Sequence, residues 1–122
     1  MSKEIDISLI VPPARASSLR PPLGLMYIAS CLREKNINPS IIDIKSKKNK
    51  AIVLSKIIDQ VKKENPEMVG ISCMSSDYSD TIKLAREIKN ISKKIIIIVG
   101  GIHATLYPDH FLNNEKSVDF VI

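Results

Sequence analysis

The segment KIIIIVGG, Lys94 to Gly101, decides the fold. Five consecutive β-branched residues, Ile95 to Val99, cannot alternate between core and water, so the pattern predicts a strand covered on both faces, as parallel strands between helix layers are. Upstream, Glu67 to Met74 (EMVGISCM) reads as another strand. Between them Leu84, Ala85, Ile88 and Ile91 recur at helical spacing, with Ser76 and Asp77 as capping candidates. Leu54, Ile57, Ile58 and Val61 mark a second helix. Leu25, Ile28, Ala29 and Leu32 mark a third, which Pro22 suits as a first-turn residue and which is expected to end near Asn36. Ile5 to Val11 (IDISLIV) is a strand stopped by Pro12-Pro13, and Ile41, Ile42 and Ile44 form another. After a loop from Gly100 to Pro108 comes a short helical segment, then Val118 to Ile122 as a fifth strand.

Strands alternating with helices, joined by right-handed crossovers, imply an open parallel α/β sheet. The predicted class is flavodoxin-like (Rossmann-like), five strands in the order 2-1-3-4-5, with helices on both faces. Ligands in such sheets bind beyond the carboxyl ends of the strands. The loops to inspect are therefore Pro12 to Leu23, Ser72 to Asp80 and Gly100 to Pro108.

A chain of 122 residues suits one domain, and 44% hydrophobic with 25% charged residues is a globular composition that argues against a disordered tail. The longest aliphatic run, Ile95 to Val99, is far below the roughly 20 apolar residues of a spanning helix, and the N-terminus lacks a secretory core. The expectation is a soluble, cytoplasmic protein with no membrane partner. The formal charge of +5 owes much to Lys45, Lys47, Lys48 and Lys50, which form either a solvated loop or a contact for an acidic surface. Nucleic-acid binding is disfavoured, because lysine far outnumbers arginine and only 4% of residues are stacking aromatics. Cys31 and Cys73 form no CxxC pair and read as buried small hydrophobes, supporting neither a disulfide framework nor a metal site.

Two common ligand classes lose their key residues. A dinucleotide site needs glycines directly after the first strand, where this chain has PPARASS. A phosphoacceptor domain needs clustered acids at the first and third strand ends, which here are Val11-Pro12 and Cys73-Met74. A flavin mononucleotide carrier would use a hydroxyl-rich loop; Ser17 and Ser18 are present, but behind two prolines. What remains is Ser72 and the pair Gly100-Gly101, small residues that let a bulky group approach the backbone. A tight turn after a buried strand explains the glycines equally well.

The stretches PPLGLMYIASCLRE (Pro21 to Glu34), ISCMSSDY (Ile71 to Tyr78), LAREIK (Leu84 to Lys89), IVGGIHATLYPD (Ile98 to Asp109) and VDFVI (Val118 to Ile122) resemble the N-terminal cobalamin-binding domain of radical S-adenosylmethionine enzymes, the group that includes the anaerobic magnesium-protoporphyrin monomethyl ester cyclases. The resemblance covers nearly the whole chain, and its order and spacing are more specific than any one piece. It implies that a corrin lies over the strand ends while the nucleotide tail of cobalamin runs down between sheet and helix. Ser72 matches the serine beside the tail. Gly100 and Gly101 match the pair that makes room for it. His103 and Thr105 belong to the same G-G-x-H-A-T pattern and would face the corrin edge or an adjoining domain, unless His103 is simply a loop histidine. Arg15 would face the lower side of the corrin, or be a solvated loop charge.

Carriers that coordinate cobalt from below use a D-x-H-x-x-G motif after the first strand, absent here, so cobalamin is expected with its own base displaced and no histidine on cobalt. The C-x-x-x-C-x-x-C motif that holds a [4Fe-4S] cluster is absent too, so radical chemistry would belong to a C-terminal domain that also binds S-adenosylmethionine. The ending at VDFVI without a closing helix gives the expectation of a fragment, a binding module of a methyltransferase or oxidative cyclase rather than a catalyst by itself. The competing expectations are a cofactor-free docking or substrate-recognition domain of the same fold and a flavodoxin-like carrier of flavin mononucleotide.

Overall fold

A computed structural model of the chain describes residues 4–13, 20–46, 49–113 and 115–122. Strands β1 (Ile7–Ile10), β2 (Pro39–Ile42), β3 (Met68–Ser72), β4 (Ile96–Gly100) and β5 (Phe120–Val121) form one parallel sheet in the order β2-β1-β3-β4-β5. Helices α1 (Leu23–Glu34), α2 (Lys50–Glu64) and α3 (Tyr78–Ile91) make the first three crossovers, and the short α4 (Ile102–Leu106) and α5 (Asp109–Leu112) make the last. The architecture is the flavodoxin-like α/β fold that the alternation of periods predicts. The strands are shorter than their sequence runs, and Ile44 falls beyond the end of β2.

Two apolar layers hold the sheet. On one face Leu25 and Ala29 of α1 pack on Ile7, Leu9 and Val11, with Leu32, Ile41 and Met68 at the margin. On the other, Val53, Ile57 and Val61 of α2 and Leu84, Ala85 and Ile88 of α3 cover Ile10, Val69, Ile71, Ile97 and Val99. Each fully buried aliphatic side chain contributes about 1.5–3 kcal/mol. The α2–α3 layer, with Phe111 added from α5, is the larger core.

The helix ends follow local chemistry. Asn49 Oδ1 accepts from the Ile52 amide at the start of α2, and Asn65 (φ 45°) closes that helix in the left-handed conformation before Pro66. The capping expected of Ser76 and Asp77 differs in detail. Asp77 is fully buried and its carboxylate accepts from the Met74 amide, 2.9 Å away, closing the 3-10 turn Ser75–Asp77 that leads into α3.

Two expectations need correction. β4 alternates between buried Ile97 and Val99 and half-buried Ile96 and Ile98, so one face is sealed and the other is not. The cause is positional: α1 lies over β1 and β2, leaving the β3–β4 part of its face uncovered. Cys73 is buried as expected, but Cys31 is exposed. It stands two residues past Ala29 on α1, about 200° around the helix from the buried stripe.

Candidate cofactor groove

The uncovered part of that face forms a groove at the point where the chain reverses its direction of winding, between β1 and β3. Parallel register sets Leu9, Gly70 and Ile98 side by side across its floor, with Ser72 opposite Gly100 one row nearer the strand ends. Leu23, Gly24, Leu25 and Ile28 of α1 form one wall with Pro21 and Pro22 before them, and Ile122 lines the groove from the β5 side. The groove encloses about 550 Å³, within the range of small-molecule sites. Its lining is apolar except at the rim, where Ser72 and the charged residues Arg20 and Lys45 stand.

The two glycines do different things. A Cβ on Gly100 would touch only Ile122 Cβ, at 4.0 Å, so this residue opens space in the groove. Gly101 adopts φ 106° and ψ −176°, a region that only glycine visits readily. A Cβ there would stand 2.6 Å from the Cys73 carbonyl oxygen. Gly101 is therefore required by the close approach of two backbones, and its missing side chain faces the protein. Gly70, which the sequence reading passed over, is the third small residue, and a Cβ on it would press on Leu9 Cδ2 at 2.9 Å.

Of the other sequence-derived candidates, Ser72 lines the groove, His103 and Thr105 do not, and Arg15 lies outside the described residues. The Thr105 hydroxyl donates to the Gly101 carbonyl, 2.9 Å away, and so braces the turn. His103 is 7% exposed, and its Nε2 lies 3.0 Å from His110 Nδ1 while its Nδ1 lies 3.2 Å from Ser75 Oγ. Tyr78, Tyr107 and Phe111 pack around this pair, with ring centroids 4.9–5.9 Å from His103. Burial, and secondarily the charge of His110, lowers the His103 pKa below 6.5. These contacts tie α4 and α5 to the 3-10 turn that follows β3.

Arg20 and Lys45 were the residues that sequence reading did not assign to a site. In the sequence Lys45 is one residue of a lysine patch. Its Nζ lies 3.1 Å from Asp43 Oδ1 and donates to the Arg20 carbonyl at 3.2 Å, which brings it to the groove. A lysine three residues beyond a strand end was the available signal, since that is where ligands sit.

A parallel α/β domain with an apolar groove at its switch point is a small-molecule binding module. Comparison with known proteins specifies which: the B12 binding domain family matches residues 14–122, and the chain belongs to that family. An uncharacterized methyltransferase of Pyrococcus horikoshii, PH0819, is 32% identical over 126 residues, an alignment covering 98% of this chain and 27% of that relative. Among the described residues no helix is long and apolar enough to cross a membrane.

The residues present fit a B12 cofactor. The floor is apolar, the Cβ position of Gly100 is open, Ser72 stands beside it, and the basic residues Arg20 and Lys45 stand at the entrance. This arrangement suits an elongated group that is apolar at one end and anionic near the other.

Proposed function

We propose that the chain binds cobalamin with the nucleotide tail in the groove and the corrin over the carboxyl ends of the strands. The dimethylbenzimidazole base is displaced from cobalt and no protein histidine replaces it. The observation that carries this reading is the groove itself, open at Gly100 and floored by Leu9, Gly70 and Ile98. The absence of a D-x-H-x-x-G motif after β1 supports the missing histidine ligand, as does the engagement of His103 with His110 away from the groove. When bound, cobalamin would supply a cobalt centre able to carry a methyl group.

The chain acts as the cofactor-binding module of a larger protein, with a methyltransferase as the leading class, in keeping with the relative that is 32% identical. We assign the catalytic half to a radical S-adenosylmethionine domain with a [4Fe-4S] cluster; an oxidative cyclase is the other outcome such a domain allows.

The test is direct. The chain is mixed with hydroxocobalamin, desalted, and its visible spectrum recorded, followed by electron paramagnetic resonance of the reduced Co(II) form. Retained chromophore with a base-off signal lacking nitrogen hyperfine splitting is expected. Folded protein that retains no corrinoid overturns the reading, and nitrogen splitting overturns the ligation. Three cysteines in C-x-x-x-C-x-x-C spacing encoded downstream of Ile122 would support the radical half, and a coding region without them would sink it.

A further inference from the structure

We infer that Arg20 and Lys45 form an anion subsite that takes the phosphodiester of the nucleotide tail and fixes the direction in which the tail enters; this rests on the reading of the groove as the seat of that tail. Among the described residues, these two are the only charged groups lining the groove. Arg20 precedes α1 and Lys45 follows β2, so both lie on the carboxyl edge of the sheet, the side from which a corrin would feed its tail.

The lysine is held before any ligand arrives. Of the three Nζ donors, one faces Asp43 Oδ1 at 3.1 Å and one the Arg20 carbonyl at 3.2 Å, which leaves the third for an incoming acceptor. Its side chain is 33% exposed, so the rotamer is restrained while the ammonium still reaches solvent. Binding an anion there costs little further ordering.

Charge sets the kind of anion. Arg20 and Lys45 bring cationic side chains to the entrance, with the Asp43 carboxylate against Lys45. A phosphodiester carries a single negative charge, and the aromatic base attached beyond it would lie on the apolar floor along Leu9, Gly70 and Ile98. The subsite thus distinguishes complete cobalamin from corrinoids that lack the nucleotide.

The experiment compares hydroxocobalamin with dicyanocobinamide, which has the corrin but neither the nucleotide nor its phosphate, on the wild-type chain and on Arg20→Ala, Lys45→Ala and the double variant. Dissociation constants are read by absorbance titration, and folding by circular dichroism. About a tenfold loss of cobalamin affinity is expected for the double variant, with cobinamide affinity unchanged. Equal affinities of wild type and double variant for cobalamin would overturn the subsite while leaving the groove reading intact. A wild-type chain that binds neither corrinoid overturns both.

Lys45→Ala leaves Asp43 Oδ1 without its cation and so risks misfolding. The wild-type chain provides a second measurement in a salt titration. Cobalamin binding should weaken as ionic strength rises, whereas cobinamide binding should not, because only the former places an anion against the exposed cations. Identical salt dependence of the two corrinoids would count decisively against the proposal.

Discussion

Gly101 and Cys73 approach so closely that no side chain fits between them. The Cys73 carbonyl accepts from the His103 amide at 3.2 Å and the Cys73 amide donates to the Gly100 carbonyl at 2.7 Å, so the backbone after β3 is bound to the turn after β4 on both sides. Gly101 sits inside that clasp at φ 106°. Gly100, its neighbour, faces the groove and has room.

The two positions should therefore respond oppositely to substitution. Gly101→Ala is expected to destabilise the chain by about 1–3 kcal/mol through backbone strain, before the clash with Cys73 is counted. Gly100→Val should change stability by less than about 1 kcal/mol, since a branched residue suits a strand, yet reduce cobalamin retention at least about tenfold by filling the groove. Urea unfolding and corrinoid titration on both variants check this. A Gly100→Val protein that retains cobalamin at wild-type affinity would place the tail elsewhere.

His103 gives a pH dependence. Its pKa lies below 6.5 in the folded chain because burial, and then the His110 charge, disfavour the imidazolium. Below pH 6.5 the unfolded chain takes up a proton that the folded chain does not. Stability is fully present above that pH and declines as pH falls toward the folded value. Thermal melts from pH 7.5 to 5 should show this slope in wild type and a shallower one in His103→Asn; parallel slopes would mean that another group carries the change.

Asp119 should act at lower pH. Burial alone would raise its pKa, but hydrogen bonds from Lys89 Nζ (2.7 Å) and the Ile97 amide (2.9 Å), with the Lys89 charge, hold it below 3.8. Its contribution is present above pH 3.8 and is lost as pH falls through the folded value. The side chain is 34% exposed, so Asp119→Asn is expected to cost about 1 kcal/mol or less at pH 7. Hydrogen exchange at β5, which Asp119 aligns on β4, should be faster in the variant.

Glu64 pins the amino-terminal edge of the sheet to α2. Its Oε1 accepts from both Ser8 and Ser40, and Oε2 accepts from Gln60 Nε2 at 2.7 Å. Ser8 is fully buried, so Glu64→Ala should destabilise the fold by about 1–3 kcal/mol by stranding its hydroxyl. In the Ser8→Ala background the same change should cost measurably less, and additive losses would show that the pair is uncoupled.

Much of this molecule was legible in the order of its residues. Leu84, Ala85 and Ile88 announced a buried helix face, Ile95 to Val99 a strand, and the alternation of the two periods a parallel sheet, because period and crossover hand are local or nearly universal constraints. Ser72 and Gly100 stand out in the sequence as small residues at strand ends, and both line the groove. Four features were not legible: the half-open second face of β4, the inward task of Gly101, the pairing of His103 with His110, and the meeting of Arg20 with Lys45. Each depends on where elements distant in sequence come to rest. Residue spacing therefore determined which segments are helix and strand and where the ligand edge lies. Only the packing of α1 over β1 and β2 decided that the neighbouring strands would stay uncovered, because a helix of about 10 Å diameter cannot shield five strands spaced nearly 5 Å apart.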